Sequence, residues 1–146
     1  MMFYGTPNFS RFTMSRLLIV CFLCVLLFTA SACSSVHGKF EQSISDYNDF
    51  IRWHKLENAS QFASDSISDQ YIRRMLAAKN MKVFDYHIVR TKYNESKSEA
   101  EVTVEFQYYT FYTNTLKTLL DVQKWAYVTE NGSKQWKLMS LLPEFR

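Results

Sequence analysis

Asp121, Gln123, Trp125 and Tyr127 stand two apart in the stretch DVQKWAYV. In extended chain, residues two apart point the same way. The four therefore share one face, with Leu120 and Val122 on the other. His87 and Asp85 likewise share a face of an earlier extended stretch. If such a face closes over an apolar hollow, a carboxylate or imidazole there has a shifted pKa and can serve as acid or base. His87, Asp121, Gln123 and Trp125 are then the residues expected to line the pocket. Plainer roles compete: Asp121 can pair with Lys117 or Lys124 at the surface, and His54 and His87 can be ordinary half-buried histidines. The three histidines follow no repeated spacing. The balance favours a protein that is not an enzyme.

Other chemistries find less support. There is no H-x-x-H and no acidic loop of calcium-like spacing, so no metal is expected. Gly38 and Gly132 are the only glycines after residue 5, too few for a phosphate-cradling loop, and no cofactor is expected. From Cys33 onward ten Lys and five Arg face fourteen Asp and Glu, a net charge of +1. Without Lys/Arg clusters there is no electrostatic footprint for nucleic acid. The aromatic run YYTFYT, Tyr108 to Thr113, must show rings on both sides of a strand. Packing under the helices on one face and against a loop on the other is the plainer expectation. An exposed patch would instead mark a partner or dimer interface.

The sharpest chemistry lies near the start. Leu17 to Phe28 reads LLIVCFLCVLLF, twelve apolar residues, short of the roughly 20 needed to span a bilayer as a helix. Arg16 precedes it and small residues follow, the layout of an export signal. Met14 is a more economical start than Met1. Cys21 and Cys24 form a C-x-x-C inside the apolar run, with no polar group to stabilise a thiolate, and read as small hydrophobes. Cys33 directly follows Ala30-Ser31-Ala32, and no cysteine comes after it.

That arrangement resembles the lipobox of bacterial lipoproteins, although Ala30 stands where the family usually has Leu. The resemblance implies a diacylglyceryl group on the Cys33 sulfur, cleavage before it and acylation of the new amine. The alternative is simple secretion through the same A-x-A exit, which would leave an unpaired thiol. Ser34 stands where an Asp would be the familiar inner-membrane retention signal. The resemblance thus implies the periplasmic face of the outer membrane. The expected organisation is lead and signal over 1–32, lipidated cysteine and tether over 33–39, and one domain over 40–146.

Elements must position these groups. Phe40, Ile44, Tyr47, Ile51 and His54 make a continuous helical stripe, widened by Phe50 and Trp53. A short helix is expected over Ala59 to Ala63. Another, capped by Ser68 or Asp69, would turn Ile72, Met75 and Leu76 inward. Strands are expected at Val83 to Tyr93, around Ala100 to Tyr108, at Leu116 to Thr129 and at Gln135 to Leu142. Ala100, Val102, Val104, Phe106 and Tyr108 alternate with polar residues, the pattern of an antiparallel strand with one wet face. Asn131-Gly132 is a hairpin turn signal, and it should bring Tyr127 and Val128 close to Gln135 and Trp136, with Trp125 near Leu138. Both tryptophans are expected in the core rather than in a ligand contact.

Helices followed by an antiparallel meander make an α+β domain: N-terminal helices packed on a curved four-stranded sheet. It resembles the nuclear-transport-factor-2-like cone, on the stripe from Tyr47 to Trp53 and the closing hairpin DVQKWAYV and QWKLMSLLP. A cystatin-like sheet on a helix is the rival. The closing hairpin also resembles small envelope lipoproteins of uncharacterised role. The expected function is non-catalytic binding or scaffolding in the cell envelope, held to the bilayer through acylated Cys33, with an envelope protein or a second copy as partner. The alternative is a small cavity enzyme using a buried Asp or His.

Overall fold

A computed structural model describes residues 36–112 and 115–146; Cys33, the apolar run and residues 1–32 lie outside the described residues. Helix α1 (Val36–Arg52) buries Phe40, Ile44, Tyr47 and Ile51, as the stripe predicts. Residues 36–39, expected as tether, are helical. The stripe fails at its end. His54 adopts a left-handed φ of 55°, and its N–H donates to the Ile51 carbonyl while that of Lys55 donates to Phe50. This Schellman cap stops the helix and leaves His54 and Trp53 exposed rather than on the core face.

Helix α2 (Leu56–Ser60) comes earlier than expected, burying Leu56 and Ala59. Helix α3 (Ser68–Ala77) is preceded by Ile67 with no side-chain cap, so neither Ser68 nor Asp69 acts as one. Its inward residues are Tyr71 and Met75, with Ala78 buried just beyond, whereas Ile72 and Leu76 are exposed. The helix is turned so that the Tyr71 hydroxyl reaches that of Tyr47, 3.1 Å away. A buried tyrosine needs that partner; exposed aliphatic residues need none.

Strands β1 (Met81–Asn94), β2 (Glu99–Thr110), β3 (Lys117–Glu130) and β4 (Ser133–Leu138) form one antiparallel meander in sequence order. Strand β2 alternates as expected, with Val102, Val104 and Phe106 fully buried under the helices. In β1 the register slips between Val83 and Asp85 and again between Ile88 and Arg90. Each slip inserts an unpaired residue, Phe84 and Val89, which bends the strand and increases its twist. Both inserted side chains are exposed.

The β3–β4 turn matches expectation. Asn131 (φ 51°) and Gly132 (φ 78°) are both left-handed, the two-residue hairpin geometry that suits strand twist. Trp125 pairs with Leu138 and Tyr127 with Trp136. Strand β4 stops at Leu138, four residues before the expected end. Pro143 has no N–H for a ladder, and the tail instead folds back over the inner face. Leu142 is fully buried there, and the Phe145 ring meets Phe106 at 5.8 Å and Tyr108 at 5.0 Å. Residues 62–64 run alongside β4, with a parallel bridge between Ala63 and Leu138. Of the run YYTFYT, Tyr108 is buried, but Phe111 and Tyr112 are exposed, contrary to the packed arrangement expected for them.

Candidate functional site

The inner face of β3 carries Asp121, Gln123 and Trp125 toward α1 and α3, as their spacing requires. Gln123 is wholly buried, and an uncompensated buried amide is costly. Asn48 of α1 supplies the compensation. Gln123 Nε2 donates to Asn48 Oδ1 at 2.8 Å, and Asn48 Nδ2 donates to Gln123 Oε1 at 3.3 Å and to the Ile44 carbonyl at 2.9 Å. The Trp125 indole N–H also reaches Gln123 Oε1, at 3.4 Å. Trp125 meets Tyr47 edge-on with centroids 5.5 Å apart and Phe62 at 6.1 Å. Gln123 and Trp125 therefore join sheet to helices.

Asp121 is the group left over. Its Oδ2 atom is enclosed with no hydrogen-bond partner among the described residues. Burial pushes its pKa up to about 6, against the opposing effects of a Gln123 hydrogen bond, the Val122 backbone and the Arg74 charge. The surface pairing with Lys117 or Lys124 is not formed. Burial also raises Tyr47 and Tyr71 well above the usual tyrosine range, and the Asp121 charge adds to both shifts. Both phenols therefore stay protonated, and the arrangement provides one carboxyl able to exchange a proton near pH 6.

His87 does not join it. It lies on the outer face opposite Glu105, with Nε2 3.4 Å from the carboxylate and the side chain 58% exposed. The expected pocket of His87 with Asp121, Gln123 and Trp125 is thus not assembled. The bulge at Phe84 fits one extra residue into β1, yet Asp85 and His87 still face outward, opposite Gln107 and Glu105. His37 pairs with Glu41 on α1, and His54 ends that helix. A surface groove of about 540 Å³ is walled by Lys92, Glu101, Lys124, Trp125 and Met139, so of the expected pocket residues it takes Trp125 but not His87, Asp121 or Gln123. Among the described residues no group of three His, Cys, Asp or Glu is placed to hold a metal, and no helix is long and apolar enough to cross a membrane.

Sequence reasoning missed Asn48 and Tyr71 and took Tyr47 for a plain core residue. Asn48 stands four after Ile44, on the inward face, and a polar residue at an inward position of one helix invites a search for its partner. Tyr71 stands four before Met75 and was hidden by the more apolar Ile72 and Leu76.

The raised Asp121 pKa sets a sign for stability. A group whose pKa is higher folded than unfolded stabilises below its unfolded value, and that contribution is lost as pH rises through the folded one. The Asp121 contribution is therefore full below about pH 4 and gone above about pH 6. Asp121→Asn should be more stable than wild type at pH 7 by about 1–3 kcal/mol, with the gap closing toward pH 4. Denaturant midpoints across that range measure it, and a gap that does not depend on pH contradicts the buried charge.

No protein-family model matches the chain, and no curated protein sequence does. Solved structures do. A SEC-C motif containing protein from Psychrobacter arcticus superposes with TM-score 0.54 at 14% identity, over 77% of this chain. The chain spans 64% of that protein's length. A provisionally assigned Ca/calmodulin-dependent kinase II association domain from Exiguobacterium sibiricum 255-15 superposes with TM-score 0.55 at 12% identity, over 78% of this chain and 99% of its own. At such identity the likeness speaks of fold alone. Together with helices that precede a bent four-stranded meander, it decides between the two folds that the sequence pattern left open: the domain has the nuclear-transport-factor-2-like α+β fold.

Proposed function

We propose that the chain is a lipid-anchored protein of the bacterial envelope, held at the periplasmic face of the outer membrane, whose domain binds a partner rather than transforming a substrate. The anchor is the Cys33 thiol, following an apolar run and small residues. Three residues of chain reach at most about 10 Å, so an anchor at Cys33 keeps Val36 close to the bilayer. The observation that carries the non-catalytic reading is the use made of the inner-face polar groups. Gln123 and Trp125 are consumed in holding β3 to α1, and all three histidines have surface roles away from Asp121.

The enclosed Asp121 carboxyl is what favours the second reading, a small cavity enzyme using it as acid or base. One variant separates the two. Asp121→Asn keeps the shape and removes the titratable group, so under the binding reading it restores wild-type behaviour to cells lacking the protein. A stably folded Asp121→Asn protein that fails to complement overturns that reading in favour of the enzyme.

A further inference from the structure

Large rings gather on the surface where α1 ends. Trp53, Phe111 and Tyr112 are 66%, 56% and 81% exposed. They come from segments far apart in sequence, and two contacts set Phe111 beside His54, the chain neighbour of Trp53. The His54 ring meets Phe111 edge-on with centroids 6.5 Å apart, and the Phe111 N–H donates to the Asn80 carbonyl at 3.0 Å. Single exposed apolar side chains are ordinary, whereas a contiguous aromatic patch marks an interface. Tryptophan and tyrosine are the residues that most often carry binding energy there.

The charge around the patch narrows the partner. Lys55 follows His54, Lys79 precedes Asn80, and Lys82 stands opposite Tyr109 in the β1–β2 ladder. All three are exposed, and none forms an ion pair among the described residues. Arg52, whose guanidinium lies 5.5 Å from the centre of the Trp53 ring, adds a fourth positive charge; against them stand Asp85, engaged by Arg52 at 3.4 Å, Asp49, which accepts from the Tyr86 hydroxyl at 3.1 Å, and Glu57 of α2. The rim is therefore basic. A two-fold pairing of this patch with itself would bring the lysines of both copies together, a like-charge arrangement that opposes binding. An acidic partner is complementary to it.

We propose that this patch docks an acidic protein segment that bears aromatic side chains. The proposal rests on the binding reading above and names its surface and its class of partner. It is tested with the full-length protein in detergent micelles and a fluorescently labelled synthetic Glu/Tyr copolymer, followed by anisotropy. The copolymer should bind, and more weakly as salt is raised. Tyr112→Ser and the double variant Lys79→Glu/Lys82→Glu should each weaken binding by about tenfold or more. Val122→Ser, on the outer face of the sheet, should change nothing. Because Tyr112 is 81% exposed, its variant should melt with wild type, which keeps the result readable. Absence of copolymer binding, or binding untouched by the patch variants, overturns the proposal. So does self-association that Tyr112→Ser abolishes, or a patch whose variants impair attachment to phosphatidylglycerol vesicles instead. Unchanged binding in Tyr112→Ser discards this surface but leaves a binding role standing. Failed complementation by Asp121→Asn discards that role whatever the copolymer does.

Discussion

Trp125→Ala should lower the stability of the domain by about 3–5 kcal/mol, out of the ~5–15 kcal/mol typical of a small domain. The ring is 1% exposed and sits where β3, α1 and the segment after α2 meet, against Tyr47 and Phe62. Truncation removes that contact area and opens a cavity that the surrounding rings cannot easily collapse into. It also removes the indole N–H from the Oε1 atom of Gln123, a buried amide. Trp136→Ala should cost a similar amount by a different route. That ring packs on Phe40 at 4.7 Å, Tyr127 at 5.4 Å and Tyr93 at 5.8 Å, and its N–H donates to the Val36 carbonyl at 3.0 Å. Its loss unpins the first turn of α1 as well as opening the core. Hydrogen exchange should therefore rise at the start of α1 in Trp136→Ala and not in Trp125→Ala. Urea unfolding of both proteins is the measurement. A midpoint within error of wild type for either tryptophan means that the ring is not in the core.

The second large effect is on location rather than stability. Cys33→Ala should abolish incorporation of a fatty-acid probe, leave unprocessed precursor and release the chain from the outer-membrane fraction. The expectation is all-or-none, because no later cysteine can substitute for the thiol. One acyl chain holds a protein only marginally, whereas two or more, at ~0.8 kcal/mol per buried CH₂, hold it stably. Losing the attachment atom loses every such chain. Normal processing of Cys33→Ala, with the product free in the periplasm, would identify simple secretion and remove the anchor from the proposed function. The folded domain would be untouched by that outcome, since the residues that build its core run from Phe40 onward.

Local periodicity determined much of this domain. The α1 stripe from Phe40 to Ile51, the alternation of β2 and the Asn131-Gly132 hairpin were all legible, because each is a repeat or a turn encoded within a few residues. The inward set Asp121, Gln123 and Trp125 was legible for the same reason. What a local pattern cannot specify is which face meets which partner. Tyr71 displaced Ile72 and Leu76 from the inner side of α3 because Tyr47, 24 residues earlier, offers its hydroxyl a partner. Two inserted residues let β1 bend while His87 stays opposite Glu105 on the outer face, away from Asp121. Gln123 became a structural link rather than a ligand contact because α1 presents Asn48 at hydrogen-bond distance. The aromatic run at Phe111 was legible, but that it lies beside the α1 cap at His54 is decided only by the packing of a strand end against a helix end. Each of these depends on contacts between residues far apart in sequence, and only the folded chain supplies them.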